Sequence, residues 1–325
     1  MSGTASLPPL IPGESIFTSK LQADDAVARV SIMTYNVLAQ CYVKSSFFPY
    51  CDPKALRWKA RSAKLKSQFE AFHPRADIVC LQECDQYDEF WKSLMESLGY
   101  QSLYLKKTGA KKDGVGLFWQ SSKFTVLGGE NVSLNNAVHT VTDHDLQGRL
   151  IRDNVGLIAH FQSIGAGPAV EFLVATTHLF WDPAQADVKL AQTTHLLASI
   201  AAFRESTHLP LFFAGDFNSL PHSHVYDAIL ATGLASAYAE YANGREPAFT
   251  NVNGVLADQV DDVGKPKPAF VGTLDYIFYD PKTTRVEALM PLMDYATATA
   301  EGGALPSRLV GSDHIPLMAS FAFIS

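Results

Sequence analysis

Asp216 and Asn218 stand where the apolar run PLFFAG gives out, and the same arrangement recurs along the chain. Asn36 follows VSIMTY, Glu83 follows DIVCLQ, and His178 follows EFLVATT. Asp275 lies within TLDYIFY, and Asp313 and His314 precede IPLMASF. Any one of these residues reads as a cap or turn former. Together they need another reason, because a carboxylate at the margin of a core is costly unless a partner compensates it. Polar residues repeated at strand ends are expected to collect in one cleft. If strand geometry persists past Asp216, its side chain and that of Asn218 share a face.

The set combines carboxylates, amides and two histidines, with no serine or cysteine nucleophile among them. Carboxylate and amide oxygens are hard ligands suited to magnesium or manganese, ions that keep waters for a phosphate-bearing substrate. Histidines beside such an ion act on the phosphate. This is the donor set of a metal-assisted phosphoester hydrolase in which water attacks and the ion neutralises developing charge. A zinc site would show closely spaced histidine or cysteine ligands, and a glycosidase needs two carboxylates without the rest.

Several elements must position these residues. Strand-like runs, rich in β-branched and aromatic residues, are RVSIMTYNVL, ADIVCLQEC, YQSLYL, VGLFWQ, NVGLIAHFQ, VEFLVATTHL, PLFFAGDFN, TLDYIFYD and IPLMASFAF. Helical patterns lie between some of them. Leu65, Phe69 and Phe72 share one face, with Pro74 as a stop; Phe90, Leu94 and Leu98 share another, with Gly99 as a C-cap. VKLAQTTHLLASIAAFRE and SHVYDAILATGL behave similarly. The alternation predicts a mixed α/β sheet architecture. Residues 251–268, with Gly, Pro, Asp and Lys, read as a long loop and a mobile surface element. KKTGAKKDG, residues 106–114, reads as an exposed loop whose four lysines are solvated at a hairpin tip.

The 325 residues carry a net charge of −7, with 47% hydrophobic and 18% charged. That composition fits a soluble globular protein and argues against a broad duplex-binding face, so a polyanion must be handled locally. Cys41, Cys51, Cys80 and Cys84 form no C-x-x-C pair and read as free thiols of a reducing, cytoplasmic compartment. No run is long enough to span a membrane, and the N-terminus lacks the pattern of a signal or transit peptide. Residues 1–27 are expected to form a flexible leader.

TYNVLA, LQE, TTHLFWDP, GDFNSLP, LDYIFY and SDHIPL, in that order, resemble the endonuclease/exonuclease/phosphatase superfamily. The resemblance implies a four-layer α/β/β/α sandwich of two mixed sheets, the deoxyribonuclease I-like fold, and a single catalytic domain over residues 28–325. LRWKAR, KKDGVGLFW and HLFWDPAQADVKLAQT look like the carbon-catabolite-repressor-type deadenylases; LGYQS and ASAYAEYANGREPAFT look more like nocturnin. The leucine-rich repeat region of some of those deadenylases is absent from the sequence, and with it the reason to expect membership of their larger complex. Leu38 replaces an acid that some DNA-repair relatives carry, against an abasic-site nuclease.

By the resemblance, Glu83 is the principal magnesium ligand, Asn36 the amide beside it and Asp313 a further acid near one or two ions, with manganese an alternative. Asp216 and Asn218 position water and phosphate, Asp275 orients His314 at the scissile phosphate, and His178 is a second phosphate contact. Pro183 and Phe270 sandwich the terminal base, and Asn154 is a further substrate-site candidate. The resemblance implies a magnesium-dependent 3′-exoribonuclease acting on the 3′ end of poly(A). A 2′,5′-phosphodiesterase or nucleotide or dinucleotide phosphatase is the alternative, and an inactive RNA-binding module a third. His195, His208, His222 and His224 read as surface or helix residues. Trp181 and Asp182 read as a packed turn.

Overall fold

The computed structural model describes residues 26–324 apart from residues 74, 166–167, 206–207, 242–243 and 261–263. The expected leader thus lies outside the described residues except for its last two positions, which already belong to a strand, and Pro74 is outside them too. One six-stranded sheet runs in the order β13 (Thr284–Leu289), β14 (Leu317–Ile324), β1 (Ala26–Asn36), β2 (Ile78–Gln82), β4 (Gly114–Gln120), β3 (Tyr100–Lys106). A second runs β5 (Phe124–Ser133), β6 (Val155–Ser163), β7 (Glu171–His178), β8 (Leu211–Asp216), β12 (Asp275–Tyr279), β9 (Ala235–Ser236). β10 (Asn251–Val260) and β11 (Pro266–Gly272) form a separate two-stranded sheet. The helices are α1 (Trp58–Phe72), α2 (Lys92–Ser97), α3 (His144–Arg149), α4 (Ala186–Glu205), α5 (His224–Leu230), α6 (Ala237–Tyr241) and α7 (Tyr295–Ala298).

Strand periodicity explains the layers, because successive side chains leave a strand on opposite faces. In β1, Val30 and Ile32 join the core between the two large sheets, while Met33 and Tyr35 join the core under α1 and α2. In β8, Phe212 and Ala214 face the inter-sheet core, and Leu211 and Phe213 face the one beneath α4 and α5. Both faces of both sheets are covered, which gives the four layers α/β/β/α. It also explains why these strands read as continuous apolar runs without a polar face. Helix α1 buries Arg61, Leu65, Phe69 and Phe72 on one stripe, and Phe69 stacks near Tyr35 with ring centroids 6.2 Å apart.

Four expectations are corrected. Residues 251–268 are mostly the hairpin of β10 and β11, whose Asn, Gly and Pro content hides a ladder running from Asn251 opposite Gly272 to Val255 opposite Pro268. The DQYDEFW stretch opens as a π turn over Tyr87–Trp91 before α2 begins, while Gly99, at φ +86°, ends that helix as expected. β5 and β13 are strands that the sequence pattern missed. Each lies at a sheet edge, carries exposed or charged positions and is broken by a bulge, so neither keeps a clean alternation. The lysine hairpin differs from expectation in a way that concerns the site.

Candidate active site

Sheet register brings the polar strand ends to one place. Parallel pairing of β1 with β2 sets Asn36 opposite Gln82, one residue before Glu83; parallel pairing of β7 with β8 sets His178 opposite Asp216. Asp275 opens β12, antiparallel to β8, and also faces Asp216. The segment ahead of β14 carries Asp313 and His314, and an isolated bridge from His314 to Asn251 ties it to the β10–β11 hairpin. Glu83, His178, Asp216, Asn218, Asp313, His314, Pro183 and Phe270 all line one cleft of about 580 Å³. A hollow of about 680 Å³ at the opposite end of β8, around Leu211, is larger but holds none of these residues.

Hydrogen bonds knit the buried carboxylates together. His314 Nδ1 lies 2.8 Å from Asp275 Oδ2, an oxygen that also accepts the Thr250 hydroxyl at 2.6 Å. Asp216 Oδ2 accepts Asn36 Nδ2 at 2.8 Å, with His178 Nε2 at 3.5 Å and His314 Nε2 at 3.7 Å. The Asn36 amide also donates to Glu83 Oε1 at 3.2 Å, so it spans Glu83 and Asp216. Glu83 Oε2 accepts the Ala39 N–H at 2.9 Å, and Asn253 Nδ2 donates to Asp313 Oδ2 at 2.8 Å. Leu38, Glu83 and Asn218 have φ of 55°, 55° and 46°, a left-handed backbone that non-glycine residues adopt mainly where surrounding structure enforces it.

Electrostatics follow from this crowding. Burial, then the nearby Asp113 and Asp313 carboxylates, push the Glu83 carboxyl up to about 7. Burial and Asp275 push Asp216 up to about 6. For His314, burial alone would favour the neutral ring, but Asp275 and Asp216 overcome it and hold the imidazole well above the ordinary value. His178 is held well below it by burial and by the Lys107 ammonium. Asp275 Oδ1 and Asp313 Oδ1 are buried without a hydrogen-bond partner, and donor atoms of Asp216, Asp275 and His314 lie within 4.8 Å of one another. Orphaned carboxylate oxygens in a carboxylate-rich pocket fit a hard divalent cation. Glu83 is outside that tightest group and joins it through Asn36.

Several residues sit differently from expectation. β8 ends at Asp216, so Asn218 no longer shares a strand face with it. Its N–H caps Asp216 Oδ1 at 2.9 Å, and its side-chain amide donates to Leu179 O at 3.0 Å. Asn154 does not line the cleft. Its amide donates to His178 O at 2.8 Å and accepts from Gln192 at 3.1 Å, which braces the end of β7. Phe270 is half-buried on β11, and Gly272 leaves it room: a Cβ there would lie 2.7 Å from the ring. The lysine loop is not wholly solvated. Lys107 is 7% exposed and Asp113 is fully buried, 2.7 Å apart, with Lys107 Nζ 3.3 Å from His178 Nδ1. Sequence reasoning missed this pair, although Asp113 immediately precedes the apolar GVGLFWQ and obeys the same strand-end rule as the rest.

Comparison with known proteins identifies the family. A model of the Endonuclease/Exonuclease/phosphatase family matches residues 33–314. Carbon catabolite repressor protein 4 homolog 4 of Arabidopsis thaliana is 34% identical over 90% of this chain and 77% of its own length. The CCR4-Not complex 3'-5'-exoribonuclease subunit Ccr4 of Saccharomyces cerevisiae is 29% identical over 94% of this chain, which spans 40% of that protein. Among solved structures, the human Nocturnin catalytic domain with bound sulfate superposes with a TM-score of 0.69 at 25% identity, covering 91% of this chain and 93% of that one. ANGEL2, a 2',3'-cyclic phosphatase, in complex with adenosine-2',3'-vanadate gives a TM-score of 0.69 at 27% identity, covering 91% of this chain and 96% of that one. With the family match running from the first strand of the site to His314 itself, the chain belongs to the endonuclease/exonuclease/phosphatase family and is an enzyme acting on phosphoester bonds.

Proposed function

We propose that the protein is a magnesium-dependent 3′-exoribonuclease with a preference for poly(A), working as one catalytic domain over residues 28–325. The observation that carries the reading is the buried Asp275–His314 pair facing Asp216 in a cleft that Pro183 and Phe270 also line. Glu83, Asn36 and Asp313 would hold the ion, with Asp216 joined to them through Asn36. Magnesium, when bound, supplies neutralisation of the charge that develops on the phosphate oxygens.

The chain's own groups do the rest. Asp216 is the base for the attacking water: Asn36 and the Asn218 N–H fix its two oxygens, and a carboxyl raised toward neutrality is a better proton acceptor than an ordinary one. Asp275 orients His314 through Nδ1 and keeps it charged, so its Nε2–H stabilises the phosphate oxygens. His178 contributes a second ring nitrogen on the same side of Asp216. Water adds to phosphorus, the bond to the 3′ oxygen breaks, and the products are 5′-AMP and an RNA shortened by one nucleotide. Pro183 and the Phe270 ring flank the terminal base, and stacking on an aromatic face contributes about 1–3 kcal/mol.

A second reading is hydrolysis of a small substrate, either a terminal 2′,3′-cyclic phosphate, favoured by likeness to ANGEL2, or a 2′,5′-linked or dinucleotide phosphate, favoured by the nocturnin-like stretches LGYQS and ASAYAEYANGREPAFT and the net charge of −7. Product analysis with magnesium on poly(A), other homopolymers, 2′,5′-oligoadenylate, NADPH and an RNA ending in a 2′,3′-cyclic phosphate separates them. The deadenylase reading requires poly(A) to be turned over fastest with 5′-AMP as product. Turnover confined to one of the small or cyclic substrates replaces it.

A further inference from the structure

His178 and His314 both turn Nε2 toward Asp216 Oδ2, yet their outer nitrogens face opposite charges. His314 Nδ1 meets the Asp275 carboxylate, the usual arrangement for a ring that must donate from that atom. His178 Nδ1 instead lies 3.3 Å from the Lys107 ammonium. An ammonium has three donors and no lone pair, so the ring nitrogen it faces has to be the acceptor. That leaves the one ring proton of His178 on Nε2, the atom 3.5 Å from Asp216 Oδ2 and directed to the cleft.

The lysine is built in. Its side chain is 6% exposed and paired at 2.7 Å with the fully buried Asp113, whose other oxygen accepts the Tyr42 hydroxyl at 2.6 Å. Lys107 N–H also donates to Asp113 O at 3.0 Å, closing the hairpin on itself. Gly114 makes the closure possible, since a Cβ there would lie 2.3 Å from Leu105 O. Tyr42, Asp113, Lys107, His178 and Asp216 thus form one continuous polar chain from the Gln40–Tyr42 turn to the cleft.

We propose that Lys107 is a positioning residue, whose ammonium, anchored by Asp113, fixes His178 as the Nε2–H tautomer so that this nitrogen donates to the bound phosphate. The donor role rests on the phosphoester-hydrolase reading; the tautomer does not. Partners that set a ring's tautomer from the far side commonly change activity by about 10–100-fold when removed.

The test is long-range proton–nitrogen NMR of the full chain labelled with 15N-histidine, with His178 assigned from the His178→Gln spectrum. The wild-type protein is expected to show His178 protonated on Nε2 and bare on Nδ1. In the charge-neutral double variant Lys107→Met, Asp113→Asn, the ring should redistribute between tautomers. Turnover of bis(p-nitrophenyl) phosphate should fall about 10- to 100-fold, and adding His178→Gln should cost much less there than it does in the wild-type protein. A wild-type ring protonated on Nδ1, a tautomer unmoved in the double variant, or losses that multiply would each overturn the proposal. A wild-type protein with the expected tautomer but no hydrolytic activity would instead count against the hydrolase reading alone.

Discussion

Glu83 should make the metal-free protein less stable as pH rises, and its replacement should remove its share of that slope. Its carboxyl sits at about 7 in the fold against an ordinary 4.5, because burial and the neighbouring Asp113 and Asp313 disfavour its charge. A folded value above the unfolded one stabilises the fold fully below the unfolded value, and that stability is lost as pH climbs through the folded value. The window is therefore about pH 4.5 to 7. At about 1.4 kcal/mol per pH unit, the shift from 4.5 to about 7 corresponds to about 3 kcal/mol. Asp216, raised to about 6, and His314, raised well above its ordinary value, act in the same direction, so the informative quantity is the difference between variants. Urea unfolding in chelator at pH 5 and pH 8 should show wild type losing about 3 kcal/mol more than Glu83→Gln over that interval. Magnesium at pH 8 should restore stability to wild type and much less to Glu83→Gln, because a metal that binds only the folded state adds to stability by mass action. Equal pH slopes in the two proteins would refute the placement of Glu83 among uncompensated acids.

Asp275→Asn and His314→Ala should each lower turnover roughly 100-fold or more, and the double variant should be little worse than the worse single, since the acid acts through the ring; a multiplicative double loss would mean that they act independently. Phe270→Ala should slow oligoadenylate digestion by roughly 5- to 150-fold more than it slows hydrolysis of bis(p-nitrophenyl) phosphate, the range of one stacking contact; equal effects on both would remove the base from that wall. Phe212→Ala, which deletes a fully buried ring packed 4.8 Å from Phe321 between the sheets, should cost about 3–5 kcal/mol, read as a lower urea midpoint at an unchanged slope.

Much of this architecture is legible in the residues, for a physical reason. Strands buried on both faces must be apolar throughout, so PLFFA and DIVCL announce themselves, and a polar residue at their end is conspicuous. That is why Glu83, His178, Asp216, Asp275 and His314 could be named before their neighbours in space were known. What escaped the sequence is what depends on register and backbone handedness. The left-handed turn at Asn218, which aims its amide at Leu179 instead of along Asp216, has no signature in GDFN. The β10–β11 ladder escaped because its glycines and prolines mimic a loop while its partners lie in a short hairpin of its own. Lys107 escaped because three other lysines surround it in KKTGAKKDG, and only the fold shows which of the four is buried.

The proposed activity is removal of adenylate residues from an RNA 3′ end with a divalent ion at work. Its most direct test is a time course on 5′-labelled RNAs of one body sequence that end in either an adenylate or a uridylate tract, with magnesium and then with excess chelator. Expected are a ladder shortening one nucleotide at a time from the adenylate tract, 5′-AMP as the released product, slower loss of the uridylate tract, and arrest on chelation. Internal cuts, an intact adenylate tract, or shortening that continues undiminished in chelator would contradict it.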